Sequence, residues 1–378
     1  MKKKLCIIYP NKSSSSETFI QAHVKYLPFQ NFCLHGGWFP KFDNNDIPIS
    51  FHSDFNFFEK IKNKIISEDE TNFLERGLKN FLLKNKIDVV LAEYGLTGIN
   101  VMSICQKLNI PLVVHFHGFD IYQKSIVEAN YKSYLKLFEL SSALIVVSKD
   151  MLEKLVMMGA PKEKIHYNSC GVDISMFAPF NKDYSKPNFL FAGRFVNKKA
   201  PQLVIMAFSE VVKQIPTAKL VMAGDGGLGS NGELYMACKQ IAKALKIEDR
   251  IDFKGSLTNN EMAQEMKKAT IFIQHSVLTE NGDSEGTPVT LLEASASALG
   301  IIATRHGGIK DVVIDLETGL LVNEYDLDGT IKCMMDFATN PIKTEKMGFA
   351  ARERIIDFFS MERSIKNLSR IINSSVNN

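Results

Sequence analysis

The chain has 378 residues, with 45 Lys and Arg against 42 Asp and Glu and a formal net charge of +3. That length exceeds one ordinary core and predicts two domains, and the balanced charge gives no footprint for nucleic acid. Cys6, Cys33, Cys105, Cys170, Cys238 and Cys333 form no CxxC and no zinc-like spacing, so reduced thiols in a cytoplasmic protein are expected. Met1-Lys2-Lys3-Lys4 resembles a signal n-region, but the apolar run after it stops at Pro10 and reads as a buried strand. No apolar run has spanning length, so any membrane would be met from its surface.

In chain order, Leu5–Tyr9, Val89–Ala92, Leu112–Phe116 and Ala143–Val147 are apolar enough to be strands buried on both faces. Thr18–Leu27, Glu70–Lys84 and Ile99–Lys107 carry helical patterns between them. The alternation then repeats. Phe189–Ala192, Lys219–Ala223, Arg250–Phe253, Ile271–His275, Gly300–Thr304 and Gly319–Val322 read as strands. Ala200–Gln214, Gly232–Leu245, Glu261–Lys268 and Thr290–Ala298 read as helices. Two doubly wound α/β domains of Rossmann type follow, one over 1–180 and one over 188–357, with the polar stretch Phe180–Asn188 as linker. Ligands are expected at the carboxyl ends of the strands, facing the cleft between the domains. Met347–Asn373 reads as one helix whose last part, about 358–378, crosses back to the first domain.

The richest stretch is Glu285-Gly286-Thr287-Pro288-Val289-Thr290-Leu291-Leu292-Glu293. Thr287 fits a helix N-cap and Pro288 the first helical residue. The amides of Gly286, Thr287 and Val289 are then free at a positive helix end, a seat for a diphosphate. Glu285 and Glu293 flank that seat, which suits a nucleotide sugar: one acid for the sugar, one for the ribose. An ordinary capped core helix is the plain alternative. Arg194 and Lys199 follow the first strand of the second domain and can neutralise a diphosphate leaving group, or simply form a basic loop. The turn at Gly224-Asp225-Gly226-Gly227 brings amides near a ligand, and Phe253-Lys254-Gly255-Ser256-Leu257 can present backbone to a base edge; either also reads as a plain strand-end loop.

His115 and His117 share one face of a strand. A metal pair is conceivable there, but a hydrogen-bonding His117 facing the cleft is the stronger expectation. Asp326-Leu327-Asp328 is the only Asp-x-Asp and reads as a solvated turn. With Arg194, Lys199 and a helix end available, no metal cofactor is expected. Phe51, Phe55, Phe57 and Phe58 interleave with Lys60, Lys62 and Lys64, a pattern of a membrane-surface segment or of a helix with its Phe residues packed inward.

Taken together, these stretches resemble glycosyltransferase family 4, the retaining nucleotide-sugar transferases of GT-B fold. The likeness runs from Val147-Ser148, Gly159-Ala160-Pro161 and Gly171-Val172-Asp173 through Gly193-Arg194 and Glu285-x7-Glu293 to Thr304-x-x-Gly307-Gly308. Ser16-Glu17-Thr18-Phe19-Ile20 and His117-Gly118-x-Asp120 are similar to the branch that builds colanic acid and other surface polysaccharides. Ala200 stands where most members have Gly, and Glu93-Tyr94-Gly95 where that branch has a His-rich segment.

The resemblance implies roles. Arg194 and Lys199 would clamp the donor diphosphate, and Glu293 would hold the ribose. Glu285 with the Gly286, Thr287 and Val289 amides, beside Pro288, would hold the transferred sugar and adjacent phosphate. Gly226, Lys254 and Leu257 would line the donor site. His117 would reach the sugar from the first domain, and Ser16, Glu17 and Thr18 would lie by the acceptor. The partners implied are a nucleotide-sugar donor, with UDP-sugars expected as the commonest family donor, and a glycan or lipid-linked glycan acceptor at a membrane surface. The competing expectations are a sugar-nucleotide epimerase of similar fold and a non-catalytic partner subunit.

Overall fold

A computed structural model describes residues 2–12, 17–52, 70–226 and 232–377. Two sheets form from the apolar runs. The first contains β1 (Lys4–Ile8), β2 (Gln30–His35), β3 (Phe42–Asp43), β4 (Val89–Glu93), β5 (Leu112–Phe116), β6 (Ala143–Val146) and β7 (Ile165–Tyr167), in the order β3-β2-β1-β4-β5-β6-β7. All neighbours are parallel except β2 and β3. The second contains β8 (Asn188–Ala192), β9 (Lys219–Ala223), β10 (Ile251–Gly255), β11 (Ile271–Gln274), β12 (Gly300–Thr304) and β13 (Leu320–Val322), all parallel, in the order β10-β9-β8-β11-β12-β13.

Central strands such as β1, β4, β5 and β6 are buried on both faces, as strands under crossover helices must be. Each sheet reverses its strand order once, between β1 and β4 and between β8 and β11. A crevice opens at such a reversal because the flanking connections leave in opposite directions. The loops after β1 and β4 carry Glu17 and Tyr94, and those after β8 and β11 carry Lys199 and Glu285.

Three local expectations change. The helix expected to begin at Ile99 begins at Gly95, because the Asp120 carboxylate, from another loop, accepts the Gly95 amide at 2.7 Å. The edge strands β2, β3 and β7 are too polar to register as apolar runs. The tail is two helices, Pro341–Phe358 and Met361–Asn377. They break where Val172 N–H donates to Phe359 O at 3.0 Å and Met361 N–H donates to Val172 O at 2.9 Å. Beyond the break, Ile365, Leu368 and Ile372 pack against Leu5, Ile7, Tyr9 and Val89 under the first sheet. The tail therefore does cross back.

Leu368 is fully buried in that contact. Leu368→Ala is expected to destabilise the protein by about 2–5 kcal/mol, read as a lower denaturation midpoint. An unchanged midpoint would mean that the tail is undocked in solution.

Candidate active site

The second-sheet floor of the cleft is built by glycine. Gly193 and Gly224 directly follow β8 and β9, and β10 ends in Gly255. Gly193 N–H donates to Ala223 O at 2.9 Å and Gly224 N–H to Gly255 O at 2.7 Å. A Cβ on Gly224, whose φ is +141, would lie 1.9 Å from Gly193 O, so only glycine lets these turns stack. From the first turn Arg194 extends into solvent without an ion-pair partner among the described residues. A short turn, Asn197–Lys199, follows and leads through Ala200 into the helix Pro201–Gln214. Ala200 is left-handed at φ +39, a conformation costing an alanine about 1–2 kcal/mol. The glycine that the resemblance leads one to expect would adopt it freely, so the departure at this position bears on the backbone and leaves the neighbouring charge alone.

Lys198 and Lys199 both turn inward. Lys198 Nζ meets Asp283 Oδ1 at 3.0 Å and Ser284 O at 3.2 Å. Lys199 Nζ lies 3.3 Å from Glu285 Oε1, off the line of a hydrogen bond, so this buried oxygen has no hydrogen-bond partner in the protein. Burial would raise the Glu285 carboxyl, but the charges of Lys199 and Lys198 outweigh it and hold it at about 2. For Lys199 burial outweighs the pairing, and its ammonium is pulled below the usual lysine range.

The helix after this acid spans Val289–Ala296 and starts one residue later than expected. Pro288 is its N-cap, and no side chain caps it. The Thr287 hydroxyl instead donates to Val147 O of the first domain at 2.5 Å. Among the described residues no protein group accepts from the amides of Gly286, Thr287, Val289 or Thr290, which leaves the donors of an anion seat free. One turn on, Glu293 is buried with no charged partner, and burial raises its carboxyl to about 8. It is therefore protonated at neutral pH when no ligand is bound. His306 supports the loop from behind. Its Nε2 accepts Glu285 N–H at 3.1 Å, and its Nδ1 meets Glu324 Oε1 at 2.7 Å.

The first domain closes over this seat by close backbone approach, beside the Thr287–Val147 bond. A Cβ on Gly286 would lie 2.7 Å from His117 O, and one on Gly308 would lie 2.0 Å from Gly286 O. The Asp120 carboxylate accepts the amides of His117 at 3.2 Å and Gly118 at 3.1 Å, which fixes the loop carrying His117. Phe19 stacks on the His117 ring with centroids 4.1 Å apart, and Tyr94 meets it edge-on at 4.9 Å. Tyr94 O–H donates to Glu17 Oε1 at 2.7 Å. Glu17 and Thr18 are thus brought near His117, whereas Ser16 lies outside the described residues.

Other expected positions are less engaged. Gly226 ends a described segment, and Gly227 lies outside it. Lys254 is exposed and pairs with Asp252 at 2.7 Å. Leu257 is half-buried against the central core. Asp326 caps the helix Leu327–Thr339 by accepting Gly329 N–H at 2.8 Å, which gives this Asp-x-Asp a structural task. Residues 53–69, with most of the Phe/Lys segment, lie outside the described residues. Sequence reasoning missed Lys198, His306, His23 and Glu93. The last two join His115 and His117 in one buried cluster, so the histidine pair does have further polar company.

A model of glycosyl transferases group 1 matches residues 174–354, and a model of Glycosyltransferase Family 4 matches residues 50–176. The chain belongs to glycosyltransferase family 4. The glycosyltransferase is 26% identical over 289 residues to the amylovoran biosynthesis glycosyltransferase AmsK of Erwinia amylovora, covering 75% of this chain and 70% of that protein. It is 24% identical over 295 residues to the putative colanic acid biosynthesis glycosyltransferase WcaL of Escherichia coli, covering 76% and 70%. Anabaena HepE in complex with UDP and glucose matches its structure with a TM-score of 0.78 at 15% identity, over 98% of this chain and 100% of that one. Sucrose-phosphate synthase from Thermosynechococcus elongatus matches with a TM-score of 0.78 at 18% identity, over 99% of each. At those identities the structural likeness is one of fold, the GT-B arrangement expected from the motifs. No described helix is long and apolar enough to cross a membrane.

The two seat acids have opposite linkage to pH. A carboxyl raised to about 8 takes stability away as pH climbs from its unfolded value towards 8. Glu293→Gln should therefore be more stable than wild type at pH 8, and the gain should vanish near pH 4. A carboxyl held at about 2 contributes stability above its unfolded value that is lost as pH falls towards 2. Glu285→Gln should therefore cost stability at pH 7 and progressively less below pH 4. Denaturation midpoints across that range check both signs.

Proposed function

We propose that this glycosyltransferase moves a sugar from a UDP-sugar to a lipid-linked glycan in bacterial surface polysaccharide synthesis, with retention of configuration and without a metal. The observation that carries the reading is the seat at Glu285–Val289. There a buried, ionised carboxylate with an unpartnered oxygen adjoins free helix amides and the Lys199 ammonium. An anion fits the amides and the lysine, and sugar hydroxyls fit the carboxylate. The names of AmsK and WcaL support the pathway, and HepE, solved with UDP and glucose, supports the base.

In this reading Arg194 and Lys199 take the charge that grows on the departing diphosphate. Glu293, protonated when the site is free, hydrogen-bonds the ribose. Glu285 positions the sugar and stabilises positive charge at its anomeric carbon. The bond from that carbon to the phosphate oxygen breaks as the bond to the acceptor oxygen forms on the same face. The acceptor proton passes to the leaving phosphate, so no protein base is needed. The protein works at the inner face of the membrane as a peripheral enzyme.

Ligand-observed NMR against UDP-, GDP-, ADP- and CMP-sugars tests the donor. A UDP-sugar signal competed by UDP is expected; silence from all four with folded protein would overturn the reading. Lys199→Ala and Arg194→Ala should each lower kcat/KM by about 100-fold or more. Full activity in both would remove the clamp, and an isomerised sugar nucleotide without acceptor would make the protein an epimerase.

A further inference from the structure

His117 is held from behind by a carboxylate that no motif pointed to. Glu93 ends β4 with 0% exposure. Its Oε2 lies 2.7 Å from His117 Nε2, and its Oε1 lies 2.7 Å from His23 Nδ1. Burial would raise the Glu93 carboxyl, but the adjoining imidazoles His23 and His117 more than reverse that and keep it ionised. An ionised carboxylate only accepts hydrogen bonds, so each of these ring nitrogens must carry its proton. For His117 this leaves Nδ1, which is buried and has no partner in the protein, as the one atom able to engage a ligand. His115 fills the space between the other two rings, with centroids 5.2 Å from His23 and 4.3 Å from His117. Burial keeps His115 neutral.

We infer that Glu93 is a positioning residue of the transfer reaction: with His23 as its second anchor, it locks His117 in the Nε2–H tautomer and turns Nδ1 into a hydrogen-bond acceptor for a sugar hydroxyl. The inference rests on the reading of His117 as a donor-sugar contact. It adds the chemical identity of the contact atom, and thereby the polarity of the group recognised, a hydroxyl donor. His23, Glu93 and His115 also lie close enough to suit a divalent metal. The spacing favours the hydrogen-bonded arrangement. Ligands at 2.0–2.1 Å from a tetrahedral zinc sit about 3.3 Å apart, whereas within that trio Glu93 Oε1 and His23 Nδ1 are 2.7 Å apart, a hydrogen-bond length, with His115 Nδ1 3.5 Å from Glu93 Oε2. The supporting logic is that of a carboxylate orienting an imidazole whose other nitrogen does the work.

The test is Glu93→Gln on the tag-free full chain. The amide offers one acceptor and one donor where the carboxylate offered two acceptors, so one of the two imidazoles must turn a bare nitrogen to it. Nitrogen-15 histidine NMR, with His117 assigned from the spectrum of His117→Gln, reads the tautomer directly. Wild type is expected to show His117 as a single Nε2–H form, and Glu93→Gln to shift it or His23, or mix the two forms. Turnover should fall about 10- to 100-fold, while the donor Kd moves by less than about threefold. An Nδ1–H or averaged His117 in wild type would overturn the inference, even if the variant fails to fold. So would unchanged His23 and His117 spectra in Glu93→Gln, or zinc retained at about one per chain and lost in that variant. If His117→Gln turns over donor at the wild-type rate, the reading of the sugar contact fails, and the tautomer measurement still decides the role of Glu93.

Discussion

The whole site depends on three places where backbone must touch backbone. Gly286 approaches His117 O, Gly308 approaches Gly286 O, and Gly224 approaches Gly193 O, each too closely for a Cβ. The first contact sets the distance between the two domains, the second pins the Glu285 loop, and the third stacks the β8 and β9 turns. Side chains at any of them would hold the domains or turns apart. Lys199, Glu285 and the helix amides would then no longer share one seat, and His117 would lose its place over it.

Around those contacts the protein gives three buried carboxyl groups three different environments. Glu285 has ammonium neighbours and is ionised. Glu293 has none and holds its proton. Glu93 has imidazoles only and is ionised through their N–H groups. Burial alone pushes every one of them towards the neutral form, so the partner set decides the outcome. Two histidines sit on opposite sides of the cleft with a carboxylate behind each: His117 with Glu93 in the first domain, His306 with Glu324 in the second. The first leaves the His117 Nδ1 without a protein partner, and the second accepts the Glu285 amide and so orients that acid.

Much of this was legible in the sequence. Both sheets follow from short apolar runs between helical stretches, and the Glu285–Glu293 spacing does place two buried acids beside the helix start at Val289. What escaped reading shares one cause, namely contacts made far along the chain. Thr287 has the right identity and position for a cap, but Val147, 140 residues earlier, captures its hydroxyl. The tail has unbroken helical periodicity, yet Val172 splits it at Ser360. His23 and Glu93 lie 70 residues apart on different elements, and no local spacing joins them to His117. Lys198 was passed over because Lys199 beside it matched the family pattern, although both turn inward.

The chain passes between the two domains twice, once outward after β7 and once back before the final helix. The two passages are stitched together where Val172 pairs with Phe359 and Met361. Two adjacent strands fixed to each other resist twisting and shear but bend about the line across them. The bridge at Val172 and Ser360 therefore ties the outgoing and returning passages into one connection, so neither can be displaced without carrying the other.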